Sequence, residues 1–328
     1  MKTALRSPLV GYIQAFIAHK RALGKRLEKR EAALYLLNRY VIEHGVTELH
    51  EITPALLNAF MCSRPRYSAR SYNELLGALR GFFEWLVRHD VLATSPLLTP
   101  PRRVPTMRPP FLFNPDLVRR LLDAAARLRS FPLSPRRGET YRMMFALLYG
   151  LGLRVGEVSR LCLKDVDFDH KLLVIRNTKF GKHRLVPFGP KMAKELTNFL
   201  HPREALPETM QPDLPVFSFA KEQRTCIRTN TISQTFHNLL PALNLVVPTG
   251  VSSPHLHCLR HSFAVGTLLR WYRAGLDPAA RLLDLSTFLG HVSPSSTAVY
   301  LTITTELLEC ASQRFAHFAA PVFKECGR

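Results

Sequence analysis

Apolar residues return every three or four positions through LVGYIQAFIAHKRAL (residues 9–23) and again through EAALYLLNRYVIEHG (31–45). That spacing lines one face of an α-helix. Thr53-Pro54 pairs a capping side chain with proline at the first helical position, and so opens a third helix through Ala59, Phe60 and Met61. A fourth periodic stretch, SYNELLGALRGFFEWLVRHDV, covers residues 71–91. Four short amphipathic helices predict a compact bundle over residues 1–95.

The pattern then stops. In SPLLTPPRRVPTMRPP the prolines Pro96, Pro100, Pro101, Pro105, Pro109 and Pro110 alternate with Arg102, Arg103 and Arg108. Proline at that density forbids a helix and favours extended backbone, so residues 96–111 read as a basic linker. Beyond it, Asn114-Pro115-Asp116 is a second cap followed by proline, leading into LVRRLLDAAARL. Helix is expected to continue through TYRMMFALLYGLGLRVGEVSRL (140–161). Three short β-rich runs follow, VDFD, KLLVIRN and HRLVPFG, and predict a small antiparallel sheet. From Met192 onward the pattern is again mainly helical, with loops around PREALPETMQPDLP and VVPTGVSSP. The expected fold is mainly α: an N-terminal helical bundle, and a C-terminal domain over 112–328 that is mostly helical with one small antiparallel sheet.

Charge adds a partner to this picture. The 328 residues carry 45 Lys+Arg against 25 Asp+Glu, a net +20 with a pI near 10.2. Residues 1–111 hold 17 basic and 8 acidic side chains (+9) and residues 112–328 hold 28 and 17 (+11), so both halves are suited to a polyanion. No apolar run approaches the roughly 20 residues needed to span a bilayer. Six scattered cysteines (Cys62, Cys162, Cys226, Cys258, Cys310, Cys326) form no C-x-x-C pair, which speaks against a zinc knuckle or a disulfide framework and for a reducing compartment. Pro, Gly and Gln interrupt the basic N-terminus, so no export signal is expected and the cytoplasm is the expected location.

Five segments after the linker hold residue types suited to phosphodiester chemistry. GLGLRVGEVSRL carries Arg154, with Glu157 three positions on and on the same helix face. NTKFGKHRLVPFG reads as a hairpin with Lys179 at its tip. SPHLHCLRHSFAVGTLL places His257 and Arg260 together at a helix start. STFLGHVSPSSTAVYL holds His291 after a Leu-Gly turn and Tyr300 nine residues later (300 − 291). Taken singly, each is more often an ion pair, a solvated turn lysine or a core tyrosine. Together they supply two guanidiniums to grip phosphate oxygens, a lysine to give a proton, two imidazoles and a hydroxyl nucleophile. Neither a phosphate-binding G-x-x-x-x-G-K-[ST] loop nor a carboxylate cluster suited to Mg²⁺ is present in the sequence.

The ordered set G-L-G-L-R-V-G-E, T-K-F-G-K-H-R-L-V-P, H-C-L-R-H, L-G-H and V-Y-L resembles the tyrosine recombinase, or phage-integrase, family from about residue 112 to the end. The N-terminal bundle resembles that family's core-binding domain in helical content, size and position. The resemblance implies that Tyr300 attacks a scissile phosphate, leaving a 3′-phosphotyrosyl link and a free 5′-hydroxyl, with no metal or nucleotide cofactor. It implies that Arg154 and Arg260 neutralise the phosphate and that Lys179 protonates the leaving oxygen. His257 would assist proton transfer at the nucleophile, His291 would donate to a phosphate oxygen, and Glu157 would orient Arg154. Lys182 and Arg184 compete with Lys179, which opens the family's turn pattern. His261, beside Arg260, is expected to face another way and to be structural.

The implied partners are double-stranded DNA, further copies of the chain assembled on paired sites, and sister recombinases. From Arg260 to His291 is 31 residues (291 − 260), longer than the family's compact form, and Asp277-Pro278 is expected to start a helix inside that segment. The length is similar to integrases borne on transposons and other mobile elements. A relaxing topoisomerase and a DNA-binding regulator without chemistry are the competing readings. The tail ITTELLECASQRFAHFAA carries an apolar stripe (Leu307, Leu308, Ala311, Phe315, Phe318) that calls for a groove, on its own domain or on a neighbouring copy.

Overall fold

The capping signals set the helix starts. In the computed structural model the Thr53 side chain accepts from the Leu56 amide and opens α3 (Pro54–Ser63), and Asn114 accepts from the Leu117 amide and opens α5 (Pro115–Ala126). Each cap satisfies an amide that the helix itself leaves unpaired, a contribution of about 1 kcal/mol. The structure describes residues 7–25, 27–66, 68–105, 108–176, 183–204, 211–219, 224–291, 293, 295–302, 309 and 312. It divides into two compact units, Met1–Met107 and Arg108–Arg328.

The first unit packs α1 (Val10–Ala22), α2 (Glu28–Glu43), α3 and α4 (Ala69–Arg88) around one apolar core. Ile13, Phe16 and Ile17 from α1 meet Leu34, Leu37 and Val41 from α2 and Leu75, Leu79, Phe82 and Leu86 from α4. Spacings of three and four bring these side chains onto one face of each helix. Phe16 meets Phe82 and Trp85 edge-on, at centroid distances of 5.6 and 5.7 Å. Burying each such ring contributes about 1.5–3 kcal/mol.

The proline-rich segment is held at both ends. Leu97 is buried in the first core, Asn73 exchanges two 2.8 Å hydrogen bonds with the Arg102 backbone, and the Arg102 guanidinium lies 3.8 Å from the Tyr72 ring centre. Further on, Phe111 and Phe113 enter the second unit's core.

In the second unit α6 (Arg137–Gly150) runs through the middle, with Tyr141, Met144, Phe145, Leu147 and Leu148 buried. The helix expected to continue to residue 161 is broken. Leu151–Leu153 form a turn in which Gly152 takes φ +59°, and only then does α7 (Val155–Ser159) begin. A Cβ on Gly152 would stand 2.5 Å from the Phe263 ring, so both the left-handed backbone and the close packing require glycine.

Strands β1 (Val166–Asp167), β2 (Leu172–Ile175) and β3 (Arg184–Pro187) form the expected antiparallel sheet in that order. Leu173, Ile175 and Val186 face the core, and Ile175 pairs with Arg184. Next come α8 (Pro190–Glu204), α9 (Thr229–Leu239), α10 (His257–Arg273), α11 (Leu282–Leu289) and α12 (Ser295–Ala298). Asp277 caps a turn by accepting from the Ala279 amide, and α11 starts four residues later than expected from Asp277-Pro278. Among the described residues no helix is long and apolar enough to cross a membrane. The tail stripe and Lys179 both lie outside the described residues.

Candidate active site

Three backbone carbonyls near helix ends aim at one spot. The turn at Gly152 presents its carbonyl to Arg260 Nη1 at 2.6 Å, and Leu289 at the end of α11 presents its own to Arg260 Nη2 at 2.6 Å. The next residue, Gly290, caps α11 in the left-handed region (φ +67°) and gives its carbonyl to Arg154 Nη2 at 2.8 Å. Carbonyls at a helix end have no partner within the helix, so a guanidinium satisfies them and is oriented by them. Arg260 is 1% exposed, and its Nε is buried without a protein partner among the described residues. Burial, then the Arg154 charge, push it down to about 9, which leaves it protonated at neutral pH.

Glu157 sits beneath this pair. It accepts from the Arg154 backbone amide (2.9 Å) and from Arg154 Nη1 (2.8 Å), as its spacing from Arg154 led one to expect. It also receives both terminal nitrogens of Arg184 from β3, at 2.7 and 2.8 Å. Burial alone would raise its carboxyl, but the Arg184 hydrogen bonds and charge, with those of Arg154, hold it down at about 2. Arg184 further donates to the Phe288 carbonyl at 3.0 Å. Arg154, Arg184 and Arg260 against Glu157 leave a local charge of +2.

Around the guanidiniums stand histidines and one phenol. His257 opens α10; burial, then His261 and Arg260, lower it to about 3. Burial, then Arg260, Arg154 and Arg184, lower His291 to about 4, and its Nδ1 lies 2.7 Å from Thr297 Oγ1. Tyr300 is 3% exposed and stacks on His291 at 6.4 Å between ring centres. Burial raises its hydroxyl, partly offset by Arg260 and Arg154.

The expected orientation of His261 is overturned. Its Nδ1 lies 2.8 Å from the Tyr300 hydroxyl, and its ring meets His257 edge-on at 4.6 Å and 89°. The signal was present, since residues 257 and 261 are four apart on one helix and therefore neighbours. The structure thus brings together Arg154, Glu157, His257, Arg260, His291 and Tyr300, and adds Arg184 and His261. The part played by Arg184 had no local signal, because its partner Glu157 is 27 residues away.

The model of the phage integrase family matches residues 113–306, more than half of the chain and the whole of this cluster. The chain belongs to the phage integrase family. It is a tyrosine-type site-specific recombinase, an integrase that cleaves and rejoins DNA. A Sinorhizobium fredii protein with the provisional name integrase/recombinase y4rB is 33% identical, over 92% of this integrase and 95% of the relative. Tyrosine recombinase XerA of Thermococcus onnurineus is 30% identical, over 85% and 86%. The fold is shared with the integrase of transposon Tn1549, solved with a circular-intermediate DNA, at a TM-score of 0.63 and 17% identity over 93% of this integrase and 99% of that chain.

Proposed function

We propose that this integrase joins itself to DNA through Tyr300 and that Arg154, Lys179, His257, Arg260 and His291 carry the reaction with it. The observation that carries this reading is the burial of the Tyr300 phenol beside two fixed guanidiniums in a pocket of net charge +2. Among the described residues Arg154 and Arg260 donate to carbonyls and to Glu157, and their remaining N–H groups, including the buried Nε of Arg260, are donors for nonbridging phosphate oxygens. Because the donors are already oriented, little reorganisation is needed as charge builds on phosphorus. Glu157 positions Arg154 and keeps the arginines from repelling one another.

In this reading Tyr300 Oη bonds to phosphorus, the bond to the 5′-oxygen breaks, and Lys179 protonates that oxygen. Attack by a 5′-hydroxyl of a second DNA end on the 3′-phosphotyrosyl link reverses the step. Residues 1–95 form the core-binding domain, 96–111 the basic linker and 112–328 the catalytic domain, and both halves contact phosphate. The long Arg260–His291 segment and the transposon integrase among the solved relatives support integration or excision of a mobile element in the cytoplasm. Double-stranded DNA, further copies of this chain on paired sites, and sister recombinases are the partners.

The test is adduct formation on a nicked target. Tyr300→Phe removes the attacking oxygen alone and is expected to abolish the covalent adduct while DNA affinity stays near normal. An adduct that persists moves the nucleophile elsewhere. Lys179→Ala is expected to slow cleavage of ordinary DNA far more than cleavage of a 5′-thio substrate, whose leaving sulfur needs no proton; equal loss on both reassigns the acid. Binding is expected to weaken steeply with salt.

A further inference from the structure

Before a tyrosine hydroxyl can attack phosphorus its proton has to leave, and a phenol with an ordinary pKa near 10 holds that proton at neutral pH. Burial holds the Tyr300 proton more firmly still. Among the described residues, one side chain hydrogen-bonds the Tyr300 hydroxyl: His261, through Nδ1 at 2.8 Å. The other imidazoles are otherwise engaged. His291 turns its Nδ1 to Thr297 Oγ1, and His257 packs on the His261 ring rather than on the phenol.

We propose that His261 is a catalytic residue, the group that receives the Tyr300 proton during attack; this rests on Tyr300 being the nucleophile. The contact has two senses. If Nδ1 carried the hydrogen and donated to the phenol oxygen, the buried phenol proton would have no acceptor among the described residues. If the phenol donates to an unprotonated Nδ1, both groups are satisfied, and the other ring nitrogen carries the hydrogen.

The ring is available for this role at neutral pH, because burial, then His255 and Arg260, lower it to about 4. A neutral imidazole accepts a hydrogen bond, whereas an imidazolium only donates. A base held so low is weak in the empty pocket. An anionic phosphodiester between Arg154 and Arg260 cancels part of the positive field that lowers it, and so raises its basicity when the substrate is in place.

The step balances. The Oη–H bond breaks and its proton goes to Nδ1 as the Oη–P bond forms. The P–O5′ bond breaks, and O5′ takes a proton from the general acid, Lys179 in the reading above. On rejoining, the incoming 5′-hydroxyl returns its proton to the general acid left neutral by the first step, and His261 returns its own to the phenolate leaving phosphorus.

The experiment measures the rate of adduct formation by the full-length protein on a nicked target, with melting temperature and DNA affinity measured alongside. His261→Ala is expected to slow adduct formation about a hundredfold, the usual worth of a positioned base. In His261→Asn the side-chain amide stands near the former Nδ1 and keeps a hydrogen bond to the phenol, but it takes no proton. This variant is therefore expected to be as slow as the alanine variant, and a near wild-type rate in it would reduce His261 to a positioning group and overturn the proposal.

Replacing Tyr300 by 3,5-difluorotyrosine makes the phenol more acidic and less dependent on a base. It is expected to speed His261→Ala or His261→Asn at least tenfold while changing the parent protein little, an effect that lost packing does not produce. Equal response of parent and variant overturns the proposal, as does a His261→Ala protein that reacts at the parent rate or faster. Should the alanine variant fail to fold, the asparagine variant and the fluorinated pair decide alone. A persistent adduct in Tyr300→Phe defeats the nucleophile assignment; normal rates in the His261 variants with Tyr300→Phe dead defeat the His261 role only.

Discussion

The two units bury different things. Among the described residues of the first, Ser7 is the one polar or charged residue that is buried as a whole. The second buries Glu157, Asp165 and Arg260 together with seven serines and threonines. Each buried charge costs solvation that ion pairs and hydrogen bonds only partly restore, so an apolar replacement of similar volume often stabilises a fold. The first unit is built as a scaffold. The second accepts a less favourable interior to hold three guanidiniums and their carboxylate in fixed positions.

The sharpest test of that contrast removes the carboxylate. Glu157→Ala leaves Arg154 and Arg184 facing Arg260 without compensation, and is expected to cost the second unit about 3–5 kcal/mol. Urea unfolding followed by a probe in each unit reads this directly. The first unit's transition should stay in place, and a common shift of both would show that the units do not unfold separately.

A smaller effect separates two left-handed glycines. Gly45 in the first unit has φ +69° and open space where a Cβ would go, whereas Gly152 has φ +59° and the Phe263 ring at 2.5 Å. Gly45→Ala is expected to cost about 1 kcal/mol for the backbone alone. Gly152→Ala is expected to cost about 2–4 kcal/mol, since it also displaces packed side chains, and it tilts the carbonyl that holds Arg260. Equal losses would mean that Phe263 moves aside freely.

Acid provides the third comparison. His261 and His291, both partly buried, stand at about 4 in the folded second unit, below the ordinary imidazole value. Between about pH 6.5 and 4 the unfolded chain therefore binds protons that the folded unit does not. Their stabilising effect is complete above that window and is lost as pH falls through it. The second unit's melting temperature is expected to fall by about 5 °C from pH 7 to pH 5. His19, His44, His50 and His89 of the first unit are all exposed. The smallest effects should be equal in the two units: Thr53→Ala and Asn114→Ala each remove one helix cap, at about 1 kcal/mol, by thermal or urea denaturation.

Those two caps also mark what the sequence made legible. A cap acts on amides two or three residues away, so Thr53-Pro54 and Asn114-Pro115 announced their helices locally, and Arg154 announced Glu157 by the same short range. The break at Gly152 was missed because the apolar period runs on through LLYGLGL; the turn is imposed by Phe263 and Arg260, over a hundred residues away. Arg184 was set aside because its meaning depends on strand register and on Glu157. His261 was misjudged by reading the helix from Arg260 instead of from His257, whose ring it touches.

The way the chain enters the second unit has a mechanical consequence. The Pro109 carbonyl accepts from the Ser252 amide at 2.9 Å, and the Phe113 amide donates to the hydroxyl of Ser262, which lies one residue beyond His261 on α10. A load carried along the polypeptide into Arg108 is therefore delivered to the helix that bears Arg260 and His261, within a few bonds of the guanidinium.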